Sequence, residues 1–258
     1  MCVLFVAVGV HPRHALVLAG NRDEAHARPT AALARWADAP HVLAGRDLEA
    51  GGAWLGVTNA GRWATVTNVR DPASVRADAR SRGALVAGFL RGTDTPAAYA
   101  ARVQAERDGF NGFNLLVGDG RDVWIASTRR DAGPLAPGVY GLSNDTLDTP
   151  WPKLTRGRDA FARALASETL TDDDLLPFLA DETPAPDADL PETGVGLALE
   201  RVLSPLFIRG ERYGTRASTA LTVGDAGVRI AEQAWGADGA RGPRTVLEAA
   251  LGRVQAGP

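Results

Sequence analysis

Cysteine is almost absent from this sequence: Cys2 is the only one among 258 residues. No disulfide can close within such a chain, and a Cys-rich zinc site is excluded. Lysine is as scarce, since of 28 basic residues only Lys153 is not an arginine. Arginine-for-lysine usage beside abundant alanine fits the composition of a GC-rich, bacterial genome. No apolar run approaches the roughly 18–20 residues that a membrane-spanning helix needs. The first ten residues also lack the basic segment and small-residue cleavage site of a secretory leader, so the amino terminus reads as part of the fold and a cytoplasmic location is expected. Neither sign of charge dominates, the formal net charge being −3, and nothing electrostatic calls for nucleic acid as a partner. Phosphate-binding GxxxxGK[ST], strand-anchored GxGxxG, GxSxG and HExxH patterns are all missing, so no cofactor and no metal is expected.

What is present is an ordinary globular composition, 45% apolar and 23% charged, in a chain long enough for a large core. We read residues 1–258 as one domain. Strand character and short turns pair 3–8 with 14–20, 53–58 with 62–69, and 113–118 with 123–128, and a further strand is expected at 138–144. Helical periodicity marks 80–92, 95–107, 152–167 and 171–181, with Thr95 and Pro96 a good cap and first-turn pair. Residues 182–194, "ETPAPDADLPETG", form an acidic, proline-rich surface loop, after which "SPLFIRG" (204–210), 216–224 and 227–236 resume as strands and 244–254 reads as a last helix. Hairpins rather than alternating βα units predict an α+β fold of antiparallel sheets packed face to face with helices outside.

Cys2 heads the first strand, directly behind the initiator methionine. Methionine is normally removed before a residue as small as cysteine, which would leave the thiol beside its own α-amine. An amine with a pKa of about 7.7 is partly unprotonated at neutral pH and can take the thiol proton. A buried, inert strand thiol accounts for the same position, and both readings stay open on this residue alone. "GNRDE" (20–24) places Arg22 and Asp23 at the end of the strand that would pair with the one bearing Cys2. An arginine there favours thiolate, and a carboxylate can orient the ammonium. Asn68 and Asn144 sit at or just beyond strand ends, where an asparagine amide can meet a developing oxyanion or simply form a turn. Arg216 enters a late strand in "RYGTRASTAL" (212–221). The four histidines, His11, His14, His26 and His41, have no metal-ligand spacing.

Taken together, "MCVLF", "GNRDE", "GGAWLGVTNAGRWATVTNVRDP" (51–72), "GFNLLVGD" (112–119), "YGLSNDTLDTPWPK" (140–153) and "YGTRASTAL" (213–221) resemble the NRDE proteins, also called the transport and Golgi organisation protein 2 family. That family is similar to the N-terminal nucleophile hydrolases with a cysteine nucleophile. The resemblance implies a four-layer αββα sandwich, with Cys2 as nucleophile, Arg22 and Asp23 flanking it, Asn68 and Asn144 at the oxyanion, and Arg216 as a late arginine. The implied activity is hydrolysis of a linear, non-peptide acyl-amide bond. The alternative is a binding or trafficking protein for haem, an acyl lipid or an acyl-CoA on the same scaffold, and either way the partner is a small, apolar acyl compound.

Overall fold

The computed structural model describes residues 2–251. Two antiparallel sheets stack face to face. Cys2–His11 (β1) and His14–Ala25 (β2) form the first hairpin of a six-stranded sheet, which also contains Gly138–Leu142 (β10), Tyr213–Gly224 (β11), Gly227–Trp235 (β12) and Arg241–Ala249 (β13) in the order β10-β1-β2-β11-β12-β13. The other sheet has seven strands in chain order: Thr30–Trp36 (β3), Ala39–Asp47 (β4), Leu55–Thr58 (β5), Trp63–Asn68 (β6), Phe113–Gly118 (β7), Val123–Ser127 (β8) and Gly133–Pro134 (β9). Helices Gly83–Arg91 (α1) and Pro96–Ala105 (α2) cover the outer face of the seven-stranded sheet. Pro152–Ala164 (α3) covers the outer face of the six-stranded one, flanked by the short helices Asp172–Leu175 (α4) and Leu197–Val202 (α5).

Three apolar layers follow from the period of the strands. On β1, Leu4 and Val6 join Leu16, Leu18, Leu43, Trp63 and Leu221 between the sheets, whereas Val3, Phe5 and Ala7 turn to α3 and pack with Leu154 and Phe161. Phe89, Tyr99, Phe113 and Leu115 fill the layer beneath α1 and α2. The expected four-layer α+β sandwich is therefore the arrangement observed. Thr95 caps α2 as its sequence predicts, its side chain accepting from the Ala98 amide.

Three expectations differ, and two strands come without any. Residues 244–249, expected as helix, belong to β13, because β12 presents an open edge and the alternation that pairs Ile230 with Leu247 satisfies it; residues 252–254 of that expected helix lie outside the described residues. "SPLFIRG" is irregular chain rather than strand, its polar groups taken up by Asp181, Thr215 and the Asn21 side chain. The helix expected over 171–181 stops at Leu175 and resumes as a 3₁₀ turn, Pro177–Ala180, since proline has no amide to continue it. The strands β3 and β4 were not foreseen from the sequence. The loop over 182–194 does run across the surface, anchored by the buried Ala185 amide donating to Ser204 Oγ at 3.0 Å.

Candidate active site

The antiparallel register places Cys2 opposite Arg22 and Val3 opposite Asn21. Directly opposed residues share a face, so the Cys2 and Arg22 side chains both lie on the inter-sheet side. Asp23, one residue on, turns to the opposite face with Asn21, whose side chain bonds the Leu179 and Leu206 carbonyls beneath the helical layer. The glycine that opens "GNRDE" has a local reason: a Cβ on Gly20 would lie 2.6 Å from the Val3 carbonyl oxygen, so only glycine lets β1 come this close.

A cavity of about 410 Å³ opens at this end of the sandwich, lined by Cys2, Arg22, Asp23, Asn68 and Arg216 together with Trp54, Arg82, Glu232 and Trp235. Five of the six residues singled out from the sequence thus border this cavity, Cys2, Arg22, Asp23 and Arg216 from the six-stranded sheet and Asn68 from the seven-stranded one. Asn144 stands off the cavity. Its amide donates to the Asn68 carbonyl at 2.9 Å, and the Ser143 hydroxyl donates to the Cys2 carbonyl at 3.1 Å, so this corner ties the ends of β1 and β6 together. Asn68 is half-buried, and among the described residues its side chain has no hydrogen-bond partner. Arg216 is the extra residue of a bulge between Thr215 and Ala217, and its guanidinium donates to the carbonyls of Ala25, His26 and Arg28, closest at 2.8 Å to Ala25. It therefore pins the β2–β3 connection as well as facing the cavity.

Cys2 is only 7% exposed. Burial pushes its thiol above the usual range and the Asp23 carboxylate adds to the rise, while Arg22 and a hydrogen bond from the Asp23 backbone amide oppose it. A thiol so placed needs a base, and no histidine lines the cavity. Asp23 is buried and its carboxyl is raised by burial, while Lys153, a hydrogen bond from the Thr215 hydroxyl at 2.8 Å and Arg70 hold it down. Beneath it lies a set of buried charges: Lys153, whose Nζ donates to the Leu203 carbonyl at 3.0 Å, and the ion pair between Arg70 and Glu200.

The wall also holds groups that the sequence reading passed over. Glu232 accepts from the Leu33 amide at 2.8 Å, where the β3–β4 pairing is interrupted between Ala31 and Ala34, so a buried carboxylate closes a gap across the two sheets. Burial pushes Glu232 up, with the Leu33 amide and Arg22 acting against it. Arginines dominate the rim. Arg28, Arg46 and Arg80 have carboxylate partners, but among the described residues Arg76, Arg82 and Arg216 bond only backbone carbonyls. The entrance is therefore more cationic than an apolar ligand requires. No group of His, Cys, Asp and Glu among the described residues is arranged to hold a metal ion, and no described helix is long and apolar enough to cross a membrane.

Residues 1–236 match the model of the family described as Transport and Golgi organisation 2. Among curated relatives, the mouse Transport and Golgi organization 2 homolog is 34% identical over 245 residues, covering 86% of this chain and 88% of the mouse protein. The bovine homolog is 36% identical over the same length and shares. Among solved structures, a Caenorhabditis elegans ortholog of N-acylethanolamine-hydrolyzing acid amidase overlays with a TM-score of 0.48 at 11% identity, covering 85% of this chain and 92% of the other.

Proposed function

Because the chain belongs to the Transport and Golgi organisation 2 family, we propose that it works as an N-terminal-cysteine hydrolase on a linear, non-peptide acyl amide. The observation that carries this reading is Cys2 buried at the cavity wall opposite Arg22 with no histidine beside it. Once Met1 is removed, the α-amine of Cys2 is the base that the geometry otherwise lacks. The thiol proton passes to that amine as sulfur bonds to the substrate carbonyl carbon. Asn68, which borders the same cavity from the other sheet, donates to the oxygen that becomes negative. The C–N bond then breaks as the ammonium returns its proton to the leaving amine, and a water, deprotonated by the same α-amine, cleaves the thioester to free acid and thiol. Asn144 keeps Asn68 in place, and Arg22 and Arg216 shape the cationic side of the cavity.

Intact-mass measurement followed by a screen of acyl amides, with Cys2→Ala as control, tests the proposal. The expected result is a chain lacking Met1 whose hydrolysis disappears in Cys2→Ala. A protein that retains Met1 overturns the amine-as-base mechanism, and hydrolysis that survives in Cys2→Ala overturns the nucleophile.

The arginines without carboxylate partners favour a second reading, a binding protein for an acyl compound or haem whose carboxylate or phosphate they hold. In that case haem changes its absorption spectrum on mixing, or an acyl-CoA is bound, with equal affinity in Cys2→Ala, and no acyl amide is turned over.

A further inference from the structure

Arg82 and Arg216 border the cavity from different sheets and are held in the same way. Arg216 belongs to β11, whereas Arg82 immediately precedes α1 on the side of the seven-stranded sheet, at a helix start where the dipole disfavours a cation. Among the described residues, every hydrogen bond from either guanidinium leaves through Nη1. Arg82 donates to the Gly112 carbonyl at 3.1 Å, and Arg216 to the carbonyls of Ala25, His26 and Arg28. On both, Nε and Nη2 are left unused, and that is the edge that grips a carboxylate or phosphate through two parallel bonds.

Backbone contacts fix the place of Arg82. The Gly112 carbonyl that tethers it also accepts the Val69 amide at 2.9 Å, so the guanidinium is tied to the chain directly after Asn68. Gly83, the next residue, accepts the Ala53 amide at 3.2 Å, and a Cβ on Gly52 would lie 2.3 Å from the Gly83 carbonyl carbon. Glycine at 52 is what lets the start of α1 settle there.

We propose that Arg82 and Arg216 together bind an anionic group of the substrate, so that the acyl amide cleaved here carries a carboxylate or a phosphate. This inference rests on the reading of the cavity as an acyl-amide site and names the charge its substrate bears. The carboxylates bordering the cavity leave that role open. Asp23 turns to the other face, Asp47 is paired with Arg28, and Glu232 is held by the Leu33 amide. Glu24, 3.8 Å from Arg22, is left to face Arg22, Arg82 and Arg216. Burial and then the Arg22 charge draw Arg216 below the ordinary arginine range, and burial draws Arg82 down as well. A bound anion acts against both shifts, which a neutral amide does not.

Calorimetric binding to full-length Cys2→Ala, which holds a substrate without cleaving it, compares N-octanoylglycine, N-octanoylphosphoethanolamine and the neutral N-octanoylethanolamine. The better of the two anions is expected to bind about tenfold or more tighter than the neutral compound, and which of them it is tells carboxylate from phosphate. Adding Arg82→Gln is expected to shrink that advantage about tenfold. No advantage for either anion, or one that Arg82→Gln leaves intact, overturns the proposal. Should Arg82→Gln fail to fold, Arg82→Lys takes its place, since an ammonium keeps the charge without the fork; an advantage unchanged there overturns the proposal equally. Binding needs no turnover. Anion-selective binding with no hydrolysis of any acyl amide by the Cys2 protein therefore sinks the hydrolase reading only, and Cys2-dependent hydrolysis confined to neutral amides sinks this one only.

Discussion

Cys2 and Arg22 lie directly opposite each other on neighbouring antiparallel strands, on the face that looks between the sheets. Their meeting is fixed by backbone pairing that runs continuously from Val8 and Leu16 down to the end of β1, not by a loop. The thiol and the guanidinium are thus held on the scaffold itself, where geometry is most rigid.

Asn68 offers the cleanest test of the oxyanion role, because its side chain supports nothing else among the described residues. Asn68→Ala is expected to lower kcat on an acyl-amide substrate by about a hundredfold to a thousandfold. KM and the melting temperature should stay close to those of the parent. A drop in melting temperature that matches the lost rate would instead mark a structural residue.

Glu232 is a buried carboxylate among the arginines that line the cavity. Because burial raises its carboxyl, acidification neutralises it earlier than an ordinary glutamate, leaving the arginines less opposed. Calorimetric titration with an alkyl sulfonate, whose charge does not change, should show binding that tightens as pH falls toward 5. Glu232→Gln should bind more tightly at pH 7 and lose that pH dependence.

Asp172 clamps α4 to two strands, accepting from Arg229 at 2.8 Å and from Arg244. Burial alone would raise its carboxyl, but the hydrogen bond from Arg229 and the charge of Arg244 hold it below 3.8. The stabilisation is therefore complete above about pH 4 and disappears as pH falls through the folded-state value. Asp172→Asn should cost about 1 kcal/mol at pH 7 by urea denaturation, and its deficit should shrink as pH falls below the ordinary carboxylate range and through the depressed folded-state value.

Gly157 lets α3 settle against β1, since a Cβ there would run into the Phe5 ring. Gly157→Ala raises intrinsic helix propensity yet should destabilise the protein by about 1–3 kcal/mol, measured by denaturant unfolding. A stabilised variant would show that the ring has room to move.

Much of this was legible in advance because it follows from local period and turn chemistry. The β1–β2 hairpin, the Thr95 cap and the end of β6 at Asn68 all announce themselves within a few residues. The strands β3 and β4 did not, since alanine-rich stretches interrupted by Pro29 and Pro40 carry little strand signal. The strand β13 reads as an amphipathic helix until an open sheet edge claims it. Glu232 and Lys153 were invisible for a different reason: a charged residue looks solvated in sequence, and only neighbours brought from far along the chain, Leu33 for one and Leu203 for the other, show that it is buried. Asn144, which the resemblance implies at the oxyanion, stands off the cavity, and its amide donates to the Asn68 backbone carbonyl.

The pairing of β1 with β2 is irregular at one place, between Val8 and His11, close to the hairpin tip. Below that irregularity each residue of β1 meets its partner in strict alternation, about 20 Å of ladder separating the tip from Cys2. Length is thus free to vary at the far end, while parity at the near end is protected. An epitope or reporter peptide spliced between Pro12 and Arg13 should be carried without rotating the thiol to the other face, which makes that turn the natural handle for tethering the protein.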